Sequence, residues 1–190
     1  MKTIFLFEGI ASSGKTTLEK LLAARLKDVE IVTEGQTLMP IIDNKDGVAA
    51  RVYLEEQLKT IAESDAENVI VDRFHLTHAF RTSSSLESFS DIEMQLQRLG
   101  KVLLVFLTID PAHIRERIEE TLLLRKDGWK KGAQGSLDEK SVYYTKQQEM
   151  LRSLVSQSHL PSITIDTTEK VWNEYIEEIL ARVIRSVDLT

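Results

Sequence analysis

The chain has 190 residues, 42% of them hydrophobic and 28% charged, which is the profile of one soluble globular domain with a single buried core. Its 24 basic and 30 acidic residues leave a net charge of -6, which argues against a nucleic-acid polymer as partner and leaves room for a small anion held by local donors. Cysteine is absent, so disulfides and thiolate metal sites are excluded.

The first apolar run, "TIFLF" from Thr3 to Phe7, is too short to cross a membrane and reads as a strand buried on both faces. It leads directly into "GIASSGKT" and not into a cleavable small-residue site, so the expectation is no membrane and, by default, the cytoplasm. Gly9 and Gly14 let the backbone turn with its N–H groups inward, forming an anion nest at the start of a helix whose dipole adds partial positive charge. Lys15 can reach the outer phosphates of a nucleotide, and the Thr16 hydroxyl can ligate a bridging Mg2+. The spacing fits G-x-x-x-x-G-K-[ST] at every fixed position, between a strand and a helix marked by Leu18, Leu21, Leu22 and Leu26. Gly9, Ser12, Ser13, Gly14, Lys15, Thr16 and Thr17 are therefore the candidate ATP contacts.

Four further apolar runs, "VEIVT", "NVIVD", "KVLLVFLTID" and "PSITID", alternate with amphipathic stretches. That alternation predicts βαβ units, a five-stranded parallel sheet and a ligand at the carboxyl ends of its strands. Asp110 before Pro111 reads as a helix cap, and "SDIE" from Ser90 and "SLDE" from Ser136 read as capping boxes. "NKDG" at Asn44 misses the N-K-x-D of guanine-specific proteins and reads as a polar turn, and no D-x-x-G follows the third strand. The Gly- and Lys-rich "RKDGWKKGAQGS", residues about 125–136, is expected to form a mobile, cationic lid or a solvated loop.

"VIVDRFHLTH" places Asp72 and Arg73 at the end of the third strand, where the carboxylate suits Mg2+ and the guanidinium suits a phosphoryl group. His75 and His78 read as helix-start histidines, with no further metal-ligand pattern around them.

"FEGIASSGKTT" followed by "VDRF", an arginine-bearing helix and a lid resembles the thymidylate kinase branch of the P-loop nucleotide and nucleoside kinases. The resemblance implies a three-layer α/β P-loop kinase fold across residues 1–190, with ATP and Mg2+ as cofactors. It implies that Glu8, Asp72 and Arg73 work on the acceptor and metal, that Arg117 and Arg125 touch the transferring phosphoryl, and that Glu34, Tyr53 and Gln57 hold the acceptor. Asp166 and Thr167 would pack on adenine. Two departures fall on the acceptor side: Ala11 replaces an acidic residue of "FEGIDGAGKTT", and "TEGQT" replaces "REPGG".

The expected activity is transfer of the γ-phosphoryl of ATP to a small acceptor. A nucleoside monophosphate comes first, because nucleoside kinases more often resemble "ERS" where this chain has "DRF". The alternatives are a deoxynucleoside kinase, in which Glu8 would serve as base for a 5′-hydroxyl, and an ATP-binding regulatory protein without transfer activity. A homodimer is compatible with all three.

Overall fold

In the computed structural model, which describes residues 2–124 and 135–185, "TIFLF" becomes the middle of β1 (Lys2–Gly9). Its even residues Ile4 and Leu6 face one side of a sheet, and Phe5 and Phe7 face the other, all within 1% of complete burial. β1 pairs with β3 (Asn68–Asp72) on one side and β4 (Gly100–Thr108) on the other. β2 (Val29–Val32) and β5 (Ser162–Asp166) form the edges of an all-parallel sheet ordered β2-β3-β1-β4-β5. The crossovers after β1 and β3 leave in opposite directions, so the crevice above β1 is the topological switch point where such sheets take ligands.

Eight α-helices are present among the described residues. α1 (Lys15–Arg25) and α8 (Trp172–Arg185) cover the Phe5 and Phe7 face through Leu18, Leu22, Ile176 and Ile179. α3 (Gly47–Glu63), α4 (His75–Thr82), α5 (Ser90–Leu99) and α7 (Leu137–Gln157) cover the other through residues such as Leu54, Leu76, Ile92 and Leu151. Truncating any of these buried leucines to alanine is worth about 2–5 kcal/mol. α2 (Glu34–Thr37) is one short turn after β2, and α6 (Ile114–Leu124) packs on Ile10 through Ile114 and Ile118.

The Asp110 cap forms as expected, its Oδ1 accepting from Ala112 N at 2.9 Å. The Ser136 capping box forms too, with Ser136 N donating to Glu139 Oε2 at 2.7 Å. The Ser90 box does not. A 3-10 turn over Leu86–Phe89 runs straight into α5, so Ser90 is already helical at φ -61° and no extended residue is left to cap. Its partner Glu93 turns inward instead, accepting from Ser158 Oγ and His159 N and meeting His75 Nε2 at 2.9 Å. Of the expected lid, residues 125–134, and with them Arg125, lie outside the described residues.

Candidate active site

The segment between β1 and α1 curls because three residues take positive φ: Gly9 at +149°, Ser12 at +69° and Gly14 at +90°. A Cβ on Gly9 would stand 2.6 Å from the Leu107 carbonyl oxygen, and one on Gly14 would stand 2.6 Å from the Trp172 ring, so side chains are excluded at both. Inside the curl, Lys15 Nζ donates to the Gly9 and Ile10 carbonyls at 3.1 and 3.0 Å. Burial, reinforced by Arg73, pulls its pKa down to about 8. Ser12 Oγ and Ser13 Oγ are buried with no hydrogen-bond partner, which leaves the loop with unused polar capacity.

The end of β3 lies directly beside this loop, since Asp72 is in register with Phe7. Asp72 is 5% exposed, and its Oδ1 has no partner. Burial pushes its pKa up, while Lys15 and Arg73 pull it back. Arg73 sits at φ +61°, a left-handed conformation that costs a non-glycine residue about 1 kcal/mol and that clusters at functional sites. Its N–H donates to Phe7 O at 2.9 Å and its Nη1 to Gly9 O at 3.0 Å. Its Nε lies 2.9 Å from Glu34 Oε1, an ion pair without the alignment of a hydrogen bond.

The orphaned Asp72 carboxylate oxygen and Thr16 line the same cavity and would offer a hard, oxygen-only donor set, which fits Mg2+. Among the described residues no group of three or more His, Cys, Asp or Glu side chains could hold a metal alone. Thr16 and Asp72 would therefore share the ion with the nucleotide's own oxygens. Beneath them Glu19 is 3% exposed, with Oε1 unpartnered and its pKa raised to about 8 by burial and then by Asp72.

Ser12, Gly14, Lys15, Thr16, Asp72 and Arg73 line one cavity of about 760 Å3, a volume within the range of small-molecule sites. Glu34, Leu38, Met39, Thr77, Arg81 and Tyr143 line it, as do Thr17, Arg117, Lys170 and Trp172. The Arg117 guanidinium donates to the Thr167 and Thr168 carbonyls and lies over the Trp172 ring at 5.8 Å. Thr167 is fully buried, its hydroxyl shared between the Ser13 and Thr108 carbonyls at 2.9 Å each, so it ties the phosphate loop to β4. Asp166 is exposed and holds Thr168.

Seven expected residues among those described do not line the cavity: Gly9 and Ser13 of the loop, Asp166 and Thr167, and also Glu8, Tyr53 and Gln57. Glu8 is fully buried and outside the cavity wall; its Oε1 accepts from Phe74 N at 2.9 Å and Thr77 N at 3.2 Å, and its Oε2 accepts from the Thr77 hydroxyl. It caps the start of α4. Tyr53 donates to the Gln36 carbonyl and Gln57 is half-buried on α3, neither lining the cavity. His78 meets the Thr37 carbonyl at 2.9 Å, and the Thr37 hydroxyl donates to Asp72 O at 2.6 Å, so this histidine braces the end of β3. Arg81, Gln147, Trp172 and Lys170 were not singled out from sequence, because nothing local to their segments marks them.

No family model and no curated protein matches this chain. Solved structures do. The YorR protein of Bacillus subtilis, solved with phosphorylated GDP, aligns with a TM-score of 0.71 at 18% identity over 97% of this chain and 98% of its own. Deoxyadenosine kinase of M. mycoides, solved with dCMP and dCDP, gives 0.59 at 16% identity over 96% and 99%. Thymidylate kinase of Candida albicans gives 0.56 at 19% over 98% and 92%, and shikimate kinases are among the matches as well. The fold is that of the P-loop kinases. Within this P-loop kinase fold the neighbours act on different acceptors, so the thymidylate branch is not singled out. No helix among the described residues is long and apolar enough to cross a membrane.

Proposed function

We propose that this chain is an ATP-dependent phosphotransferase that moves the γ-phosphoryl group to a nucleoside monophosphate. The observation that carries the reading is the convergence of Lys15, Thr16, Asp72 and Arg73 on one cavity, with the Asp72 Oδ1 left without a protein partner. Phosphoryl transfer asks a protein for alignment and charge neutralisation more than for covalent chemistry. Lys15 and Arg73 supply the cationic groups, the loop amides orient the phosphates, and Thr16 with Asp72 supports the ion that neutralises them. Trp172 and Arg117 form the wall against which the nucleotide base rests. The kinase neighbours, with acceptors that include nucleosides and nucleotides, are consistent with this class of reaction.

One observation favours a second acceptor. Glu34 presents a 40% exposed carboxylate to the cavity beside Arg73, placed to take the proton of a 5′-hydroxyl if the acceptor is a nucleoside. ADP release measured across a panel of nucleosides and nucleoside monophosphates separates these readings. Acceleration by monophosphates and its loss in Lys15→Ala support the proposal, and acceleration by nucleosides alone replaces it with the second. Slow hydrolysis that no acceptor accelerates would leave a nucleotide-binding protein.

A further inference from the structure

The part of the cavity wall that the phosphotransferase reading gives to the acceptor, with Glu34, Leu38, Met39, Thr77 and Tyr143, also carries an arginine without an ion-pair partner among the described residues. Arg81 lies in the last turn of α4 and lines the cavity among Leu38, Met39, Ile42 and Tyr143. Among the described residues it has no carboxylate within ion-pair distance, and its Nη2 is closed off from water with no hydrogen-bond partner. Burial disfavours its charged form, while Tyr143, Asp43 and Glu34 act on it through space only.

An arginine near a helix C-terminus ordinarily satisfies the last carbonyls of that helix. Here those carbonyls are taken: His78 O accepts from the Thr82 hydroxyl at 2.8 Å, Ala79 O from Ser84 N at 3.0 Å, and Phe80 O from Ser83 N at 3.3 Å. Arg81 is therefore not needed as a cap. The other acceptor-side guanidinium, Arg73, already faces the Glu34 carboxylate at 2.9 Å. A neutral acceptor would leave the Arg81 charge uncompensated in a largely apolar wall, which is costly, whereas an anionic acceptor would cancel it.

We propose that Arg81 anchors an anionic group carried by the acceptor, and that this group is the phosphate of a nucleoside monophosphate. Arg81 thereby supplies, from α4, a second guanidinium that the segment after β2 does not provide, since Glu34 and no arginine stands in "TEGQT". This rests on the phosphotransferase reading for the identity of the acceptor, but the anion-anchoring part is tested by binding alone.

The test uses the purified chain with wild type, Arg81→Met and Arg81→Lys. Equilibrium binding of nucleoside monophosphates, the matching nucleosides and a small hydroxy acid is measured by calorimetry, followed by acceptor KM and kcat. Thermal melts and ATP affinity report whether each variant keeps its fold and nucleotide side. Arg81→Met is expected to weaken monophosphate binding roughly 10- to 100-fold, to leave the weak nucleoside binding little changed, and to be partly rescued by Arg81→Lys. The expected kinetic signature is a raised acceptor KM with a smaller change in kcat. Equal losses for monophosphate and nucleoside, or unchanged monophosphate binding, overturn the proposal. Arg81-dependent binding of the hydroxy acid alone upholds the anion anchor and overturns its assignment to a phosphate. If no acceptor accelerates ADP release from wild type, the phosphotransferase reading fails, while Arg81-dependent monophosphate binding still stands or falls by the same titrations.

Discussion

Replacing Glu8 distinguishes a carboxylate that holds the site together from one that reacts in it. The side chain is fully buried, and three donors converge on it: the N–H of Phe74, which precedes α4, the N–H of Thr77 in its first turn, and the Thr77 hydroxyl. Glu8→Ala would strand the first amides of α4 in a dry environment, where hydrogen bonds to a charged group are worth about 1.5–3 kcal/mol each and are not fully additive. The expected loss is about 3–5 kcal/mol, which for a domain of this size lowers the melting temperature by about 10 °C. Glu8→Gln keeps one carbonyl oxygen for the two N–H groups and lets the Thr77 hydroxyl turn to accept, so it should cost about 1 kcal/mol and leave turnover within a few-fold of wild type. Thermal melts and steady-state ADP release on the three proteins read both effects. A Glu8→Ala melt within about 2 °C of wild type would refute the capping role. Intact Glu8→Gln stability with abolished turnover would return Glu8 to the chemistry.

Two further outcomes follow from the phosphate loop. Free Lys15 titrates near 8 because it is buried, and bound phosphates would hold it charged, so above pH 8 ATP binding must take up a proton and affinity must fall as pH rises. Glu19, also near 8, gains negative charge over the same range and adds to the loss. Calorimetry at pH 9 in two buffers of different ionisation enthalpy measures the uptake, and identical heats would contradict it. Gly14→Ala places a Cβ 2.6 Å from Trp172 at φ +90°, so it should weaken ATP by at least about tenfold, read by Trp172 fluorescence in a Trp129→Phe background. Unchanged affinity would mean that Trp172 moves freely off the loop.

The parts legible in the sequence are those whose signal is local. β1, the loop and α1 form one continuous motif, and each of the five apolar runs became a strand within a residue or two of its expected bounds. Asp72 and Arg73 were placed by being the last residues of such a run. Glu8 was also at a strand end, yet strand parity sends it elsewhere: it follows Ile4 and Leu6, which face the layer containing α4, and so it meets the first amides of that helix. Asp72 follows Ile70, which faces α1, and so it comes under the charge of Lys15. Proximity to the loop was common to both carboxylates, and the pleat decided which one enters the site. Arg81, Gln147 and Trp172 reach the cavity only through the packing of α4, α7 and α8, which no window of sequence records.

The way cations are held gives the site its character. On the outer surface they pair with carboxylates, as in Arg25 with Glu177, Arg51 with Asp91 and Arg115 with Asp138, and so add little net field. Around the cavity, Lys170 pairs with Glu120, but Lys15 is held by the Gly9 and Ile10 carbonyls and Arg117 by those of Thr167 and Thr168, while Arg73 takes the Gly9 carbonyl besides its approach to Glu34. A carbonyl fixes the position of a cation without cancelling its charge. In a chain of net charge -6, Lys15 thus stands at this crevice among neutral oxygens, from which an anionic ligand would draw it without breaking a salt bridge.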